Sequence, residues 1–311
     1  MFAPDTSVTA AFPEVEPIRA AAKAGDWPAA RAHLAALEPG VRDLAIHDIG
    51  DLDGSEVWLR GVVDADPTDT LAGTVLGLRL INQGWDIRSG ARAEHVSRQQ
   101  FELFFEHLQR AEQALIEVTA REPTLLYAWR CRVVTARGLQ LGQAEARRRY
   151  DQVARTDPHY FLAQTQLLQQ LCPKWSGSFE AMHAFANERA AAAPEGAHNA
   201  VLVAEAHIEH WLELPSPEDG KYLEDRAVRE AIQQAADRSV LHLAFRRTAG
   251  WVFAVSTFAM ALSLIGDAHR AARCFMTLGR LGAEHPWYYL GDAAEQFAKH
   301  RAWALREASR S

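Results

Sequence analysis

Apolar side chains recur at steps of three and four residues along almost the whole chain. This spacing is typical of helices that bury one face, because about 3.6 residues complete one helical turn. Runs of alternating apolar and polar residues, which are typical of half-buried strands, are scarce. The pattern therefore predicts an all-α protein.

A pattern of a small residue, a large residue, a valine and a proline occurs twice, 35 residues apart. The first copy consists of Ala111, Leu115, Val118 and Pro123, and the second of Ala146, Tyr150, Val153 and Pro158. A third copy keeps Ala181 and Phe185, and weaker copies begin at Ala30, Ser55 and Ala271. A small residue lets two helices approach closely, the large residue fills the groove beside it, and the proline ends the helix. The repeat predicts an α-solenoid, a single right-handed array of antiparallel helix pairs.

We expect one helical-repeat domain over the full 311 residues, because the repeat recurs along most of the chain. Its parts are an irregular N-terminal part at about 1–100, regular repeats at about 101–196 and C-terminal repeats at about 197–311. Irregular insertions break the period at 81–100 and at 214–222. The second insertion contains Pro215 and Pro217, which predict a loop.

Two features indicate a known type of helical repeat. The spacing of small residue, aromatic residue, small residue and proline resembles the second half of the tetratricopeptide repeat, and Gly25-Asp26 and Gly266-Asp267 resemble its inter-helix turn. The segments PKWSGSFEAMHAFA and AEAHIE are similar to an uncharacterised bacterial family, domain of unknown function 4034. The resemblance implies a tetratricopeptide-like array in a bacterial protein, and it carries no activity with it.

A turn is predicted between two helices at 159–172 and 178–193. The proline after the first helix prevents its continuation, Gly177 can adopt a positive φ, and Ser178 can cap the second helix. Trp175 is not needed for such a turn. It either covers the neighbouring repeat as a buried plug or contacts a ligand at the surface.

Positions 35 residues apart lie side by side on adjacent repeats of such an array. A lane of polar residues is predicted along the concave face, because its members are 35 residues apart or lie on the same helical faces. The members of the lane are Thr135, Gln166, Gln170, Lys174, His198, Glu205 and Glu209, with Trp175 at the mouth. We expect this lane to bind a protein or peptide partner.

Two other interpretations of the lane stay open. The first is an enzyme or small-molecule-binding protein with a polar pocket around His198, Glu205, Glu209 and Lys174, where carboxylates beside a histidine could exchange protons. The second is simple solvated surface, because the polar faces of helical arrays are long.

Composition narrows the class of protein. A hydrophobic fraction of 48% and a charged fraction of 23% are typical of a folded chain. The net charge of −7 argues against a nucleic-acid partner. The densest basic segment, Arg147 to Arg149, is interpreted as a solvated helix face because acidic residues flank it. The cysteines Cys131, Cys172 and Cys274 are interpreted as small buried residues in a reducing compartment, because they stand far apart.

The start of the chain lacks a basic and apolar secretion signal, so we expect a cytoplasmic protein. The uncharged stretch from Thr248 to Ile265 has 18 residues, the minimal length for a membrane span. Its hydroxyl side chains favour a buried core helix instead, in which Phe253 is predicted to face the core. We therefore expect no membrane partner.

The sequence contains no nucleophile elbow, zinc-protease motif, phosphate-binding loop or dinucleotide-binding glycine motif. His207 and His210 lie one helical turn apart and are weak candidates for metal ligands, because two ligands on one helix do not complete a site. We interpret them as structural or surface histidines. The sequence therefore predicts no catalytic residue, no cofactor and no metal, and it favours a non-enzymatic scaffold.

Overall fold

The computed structural model describes residues 3–90 and 95–310. Within these ranges the regular structure is helical, and the β structure amounts to one isolated bridge between Asp5 and Leu281. The all-α prediction is confirmed. The chain divides into two compact units, which we call the N-terminal unit (residues 12–170) and the C-terminal unit (residues 171–310 together with 3–11).

Helices α2 to α10 belong to the N-terminal unit, and α1 and α11 to α17 belong to the C-terminal unit. In chain order the described helices are Val8–Ala11 (α1), Glu16–Lys23 (α2), Trp27–Ala36 (α3), Pro39–Gly50 (α4), Ser55–Ala65 (α5), Thr70–Arg88 (α6), Arg98–Arg121 (α7), Leu126–Gly138 (α8), Gln143–Thr156 (α9), Phe161–Leu171 (α10), Phe179–Ala192 (α11), Val201–Glu213 (α12), Glu218–Glu224 (α13), Arg226–Arg238 (α14), Trp251–Leu264 (α15), Ala268–Leu278 (α16) and Ala293–Ala308 (α17).

The repeat positions lie where consecutive helices pack. The small and large residues of four copies are buried, and they are Ala30 and Leu34, Ala111 and Leu115, Ala146 and Tyr150, and Ala271 and Phe275. These residues belong to α3, α7, α9 and α16, and each of these helices packs on the helix before it. The repeat therefore identified the positions at which neighbouring helices meet, whereas the solenoid arrangement as a whole stays a prediction.

The two predicted Gly-Asp turns have the same backbone geometry. Gly25 and Gly266 have φ values of 71° and 75°, in the left-handed region that glycine adopts without strain. Asp26 and Asp267 then cap α3 and α16, each through its side-chain oxygen and the backbone N–H three residues later. The sequence thus specified where these two helices begin.

The turn between α10 and α11 is confirmed, but the reason given for its glycine is wrong. A short 3-10 helix spans Pro173–Trp175, and Ser178 caps α11 as predicted. The positive φ of 67° belongs to Ser176, not to Gly177. Gly177 is required for space, because a Cβ atom there would lie 1.9 Å from the carbonyl oxygen of Leu171.

Helix α15 occupies most of the uncharged stretch and has 14 residues, most of them buried. No helix in the described ranges is long and apolar enough to cross a membrane. The prediction of a core helix is confirmed for α15. Phe253 is an exception, because it is only half-buried and stacks on the ring of His285, 5.1 Å away.

Three further sequence interpretations have clear outcomes. The predicted loop at 214–222 is wrong in its second half, where α13 begins. The insertion at 81–100 contains the end of α6 and the start of α7, and its residues 91–94 lie outside the described ranges. Arg149 is buried, so the solvated-face interpretation is wrong at that position. The three cysteines are buried and free, as expected.

Candidate functional site

In the N-terminal unit, the residues predicted for the polar lane do not form an open surface. Thr135 and Gln170 are buried. Gln166 is half-buried, and its side-chain oxygen accepts a hydrogen bond of 3.0 Å from Arg137. The lane prediction is therefore wrong for Thr135 and Gln170, and Thr135 is buried because its helix, α8, packs against both α7 and α9.

Thr135 belongs instead to a buried ionic network around Glu112. The Glu112 carboxylate accepts hydrogen bonds from Arg132 at 2.9 and 3.1 Å, from Arg149 at 2.9 Å and from the Thr135 hydroxyl. Arg149 also donates to Glu145 at 2.7 Å. We call these five residues the Glu112 network, and they join α7, α8 and α9.

In the C-terminal unit, three residues of the predicted lane lie together. Glu205 and Glu209 are one turn apart on α12, and both are buried. The ammonium nitrogen of Lys174 lies 2.5 Å from a carboxylate oxygen of Glu209. The offset of 35 residues thus placed Lys174 beside Glu209.

The segment after α16 completes this arrangement. His285 Nε2 lies 2.9 and 3.0 Å from the two carboxylate oxygens of Glu205, and the Thr257 hydroxyl donates to the same carboxylate at 2.9 Å. Tyr289 donates to Glu209 at 3.1 Å. We call the whole group the Glu205–Glu209 cluster; it consists of Lys174, Glu205, Glu209, Thr257, His285, Tyr288 and Tyr289.

Opposing effects set the pKa of His285. Burial by itself would lower the pKa, but the charge of Glu205, its hydrogen bond and the charge of Glu209 outweigh burial and raise the pKa above its ordinary value. Burial and the same carboxylates raise the pKa of Tyr288 and of Tyr289. His285 therefore holds a proton more readily than a free histidine, and both tyrosines keep their hydroxyl protons.

The outer side of the cluster reaches solvent. The side chains of Lys174 and His285 are 34% and 22% exposed, and Tyr288 is 51% exposed. His285 Nδ1 lies 3.3 Å from the Tyr288 hydroxyl, so a chain of polar contacts leads from Glu205 to the surface. The carboxylates of Glu205 and Glu209 are thus buried, whereas Lys174, His285 and Tyr288 are partly exposed.

His198 does not join the cluster, and the prediction of a pocket containing it is wrong on this point. Its Nε2 lies 3.2 Å from the carbonyl oxygen of Arg246, and its ring packs against Phe245. Burial lowers the pKa of His198. The histidine beside Glu205 is His285, which lies 80 residues further along the chain.

The signal that could have identified His285 was the segment HPWYYL, where a histidine and a proline are followed by three aromatic residues. Nothing in the 35-residue period connects this segment with α12. Trp175, at the predicted mouth of the lane, is half-buried and so matches neither a fully buried plug nor an open rim residue.

His207 and His210 contact a third histidine, His183 of α11. His183 Nε2 lies 3.1 Å from His210 Nδ1, and His207 Nδ1 lies 2.6 Å from the Tyr222 hydroxyl. Burial lowers the pKa of His183 to about 4 and that of His207 to about 3, and neighbouring histidines add to both shifts. His210 also stacks on Phe179. These rings are therefore neutral near pH 7 and pack as half-buried side chains.

In the described part of the chain, no three His, Cys, Asp or Glu side chains are arranged to hold a metal ion. The histidine contacts join α11, α12 and α13 as packing contacts. The chain matches no protein-family model and no characterised protein.

Proposed function

We propose that this protein is a non-enzymatic, tetratricopeptide-like scaffold that binds a protein or peptide partner. In this proposal, acidic groups of the partner bind at the Glu205–Glu209 cluster. One observation carries it: Lys174 and Tyr288 are partly exposed hydrogen-bond donors, and buried carboxylates hold Lys174 and the neighbouring His285 in place.

The carboxylates serve this role by fixing the donors in advance. Glu209 restrains the Lys174 ammonium group, and Glu205 restrains the imidazole of His285. An ammonium group has three N–H donors, and the pair with Glu209 leaves others for a ligand. Because these side chains are ordered before binding, a partner that contacts them loses less conformational entropy.

The test is a comparison of Lys174→Met with Lys299→Met, which removes an exposed lysine from α17. Proteins captured from the source cells would be purified and titrated against each variant by calorimetry. We expect Lys174→Met to weaken the partner about 5- to 30-fold, as for a moderate interface contact of ~1–2 kcal/mol, and Lys299→Met to have no effect. Lys174→Arg should keep most of the affinity.

Two results would contradict this proposal. One is equal affinity of the wild type and the Lys174→Met variant. The other is a partner whose acidic side chains can be replaced by amides without loss of binding. The melting temperature of each variant has to be measured, so that a change of affinity is not a change of folding.

A second candidate function is acid–base catalysis, and the contact between Glu205 and His285 favours it. A carboxylate bonded to one imidazole nitrogen orients the ring and stabilises its protonated form, while the other nitrogen faces the exposed hydroxyl of Tyr288. This arrangement could take up or release a proton at the surface. Here His285 replaces the histidine expected at 198.

A panel of ester, phosphate and glycoside substrates separates the two candidates. A catalytic role predicts turnover that is lost in His285→Gln and that depends on pH through the His285 group. A scaffold predicts no turnover above that of His285→Gln, together with partner binding that depends on Lys174.

A further inference from the structure

A second exposed feature lies in the loop between α14 and α15. Leu243, at the tip of this loop, is 96% exposed and so contacts almost nothing in the protein. The loop is nevertheless fixed, because Arg273 donates to the carbonyl oxygen of Leu241 at 3.1 Å and Arg247 donates to that of Thr277 at 3.0 Å. An exposed leucine on a restrained loop is unusual, since burial of a leucine side chain is favourable.

Three exposed arginines lie close to Leu243 or to the loop that carries it. Arg246, Arg247 and Arg273 are exposed, and within the ranges that the structure describes none of them has a carboxylate within ion-pair distance. The nearby carboxylate of Glu195 pairs instead with Arg238 and His242. This patch is cationic, although the chain has a net charge of −7.

A second apolar side chain belongs to the same patch. Met276 is 62% exposed and follows Arg273 by three residues on α16, so both residues lie on one face of that helix. We call Leu243, Arg246, Arg247, Arg273 and Met276 the basic tip. It combines projecting apolar side chains with guanidinium groups, and Leu243 does not lie in a groove.

We propose that the basic tip docks on a membrane surface that contains anionic lipids. Guanidinium groups pair with lipid phosphates, and apolar side chains that project beside them enter the headgroup region. A protein partner would have to provide a pocket for Leu243, whereas a bilayer deforms around a projecting side chain. This proposal revises the sequence-based expectation of no membrane partner, which depended on the lack of a spanning helix.

Vesicle co-sedimentation of the full chain tests the proposal. The probes are vesicles of phosphatidylcholine with one quarter phosphatidylserine, and vesicles of phosphatidylcholine alone. We expect binding to the anionic vesicles only, with an affinity that falls as salt is added. Arg246→Gln should weaken binding about fivefold, the effect of one arginine near a charged surface, and Leu243→Ser should also weaken it.

Matched controls come from the N-terminal unit. Arg98→Gln removes an exposed arginine, and Val57→Ser removes an exposed apolar side chain. Neither should change vesicle binding, and melting temperatures should show that all four variants fold.

Several outcomes would overturn the proposal. They are failure of the wild type to bind anionic vesicles at low salt, equal binding to neutral vesicles, and losses in the controls that match those at the basic tip. If soluble glycerophosphoserine binds as tightly as the vesicles, the basic tip is a site for a free headgroup and not for a membrane. If the basic tip binds only acidic proteins, the protein will not sediment with the vesicles.

Discussion

Two buried carboxylates in this protein, Glu112 in the N-terminal unit and Glu205 in the C-terminal unit, contact cations of different kinds. Glu112 is held by Arg132 and Arg149, and an arginine guanidinium group in general carries a permanent charge in proteins. Glu205 is held by His285, whose charge changes near neutral pH. A buried glutamate therefore takes part in a permanent ionic contact in the N-terminal unit, and another takes part in a titratable contact in the C-terminal unit.

The two sites also differ in their access to solvent. The side chains of Arg132 and Arg149 are only 10% and 4% exposed, whereas Lys174 and His285 in the Glu205–Glu209 cluster are 34% and 22% exposed. A buried carboxylate alone is thus no sign of function. The exposure of the cation beside it separates a contact that joins helices from one that a ligand can reach.

The largest expected effect comes from removing the charge of Glu112. Glu112→Gln leaves Arg132 and Arg149 buried without their main counter-ion, and we expect a loss of about 3–5 kcal/mol in the free energy of unfolding. Denaturant unfolding followed by circular dichroism measures it. Glu117→Gln, on the same helix but exposed, is the control and should cost less than about 1 kcal/mol. A small loss at Glu112 would contradict the structural role of this network.

Glu209→Gln should have an intermediate effect. The amide leaves the Lys174 ammonium group without a charged partner but keeps an acceptor for Tyr289, so we expect a loss of about 1–3 kcal/mol. Because Lys174 is partly exposed, water solvates part of its charge. A loss as large as that of Glu112→Gln would mean that the two sites are equally inaccessible to solvent, which would contradict the difference in exposure described above.

The pH dependence of stability sharpens the comparison further. The pKa of His285 is raised in the folded state, so its contribution to stability is present below the unfolded pKa of about 6.5 and is lost as pH rises through the folded pKa. The difference in unfolding free energy between wild type and His285→Gln should therefore shrink as pH rises above about 6.5.

Other histidines do not obscure this window. The pKa values of His183 and His207 are lowered in the folded state, so above about pH 6.5 both histidines are neutral in the folded and in the unfolded state. We expect the change to be smaller than the cost of Glu209→Gln. Urea titrations at several pH values measure it, and Glu112→Gln should show no such trend against wild type. A difference that grows with pH would refute the assignment.

The smallest effect is expected at Arg148, which lies beside Arg149 on α9. Its side chain is 55% exposed and pairs with Glu145, so Arg148→Ala should change stability by less than about 1 kcal/mol. Arg149→Ala should cost several times more, because it removes a buried cation from Glu112. Thermal unfolding of the two variants checks this, and equal melting temperatures would contradict the structure.

The sequence predicted part of the candidate site and missed the rest for a physical reason. The 35-residue offset paired Lys174 with Glu209, and the two side chains are in contact, although Lys174 lies in the 3-10 helix after α10 and Glu209 lies within α12. The contacts of Glu205 with His285 and of Glu209 with Tyr289 each join residues 80 positions apart. No local period encodes such pairs, because the segment that carries both partners follows α16 outside the repeat pattern.

By itself the sequence determined that the chain is helical, where α3, α11 and α16 begin, and several of the residues where neighbouring helices meet. Helical hydrogen bonds and caps connect residues within one turn, so the pattern of side chains along the chain suffices to specify them. Only the tertiary structure decided which polar residues are buried and with which partner. Thr135 and Arg149 looked like surface residues, and they lie inside because α7, α8 and α9 pack around Glu112. A buried polar side chain needs a hydrogen bond or a matching charge, and where its own helix supplies none the partner depends on packing between distant segments.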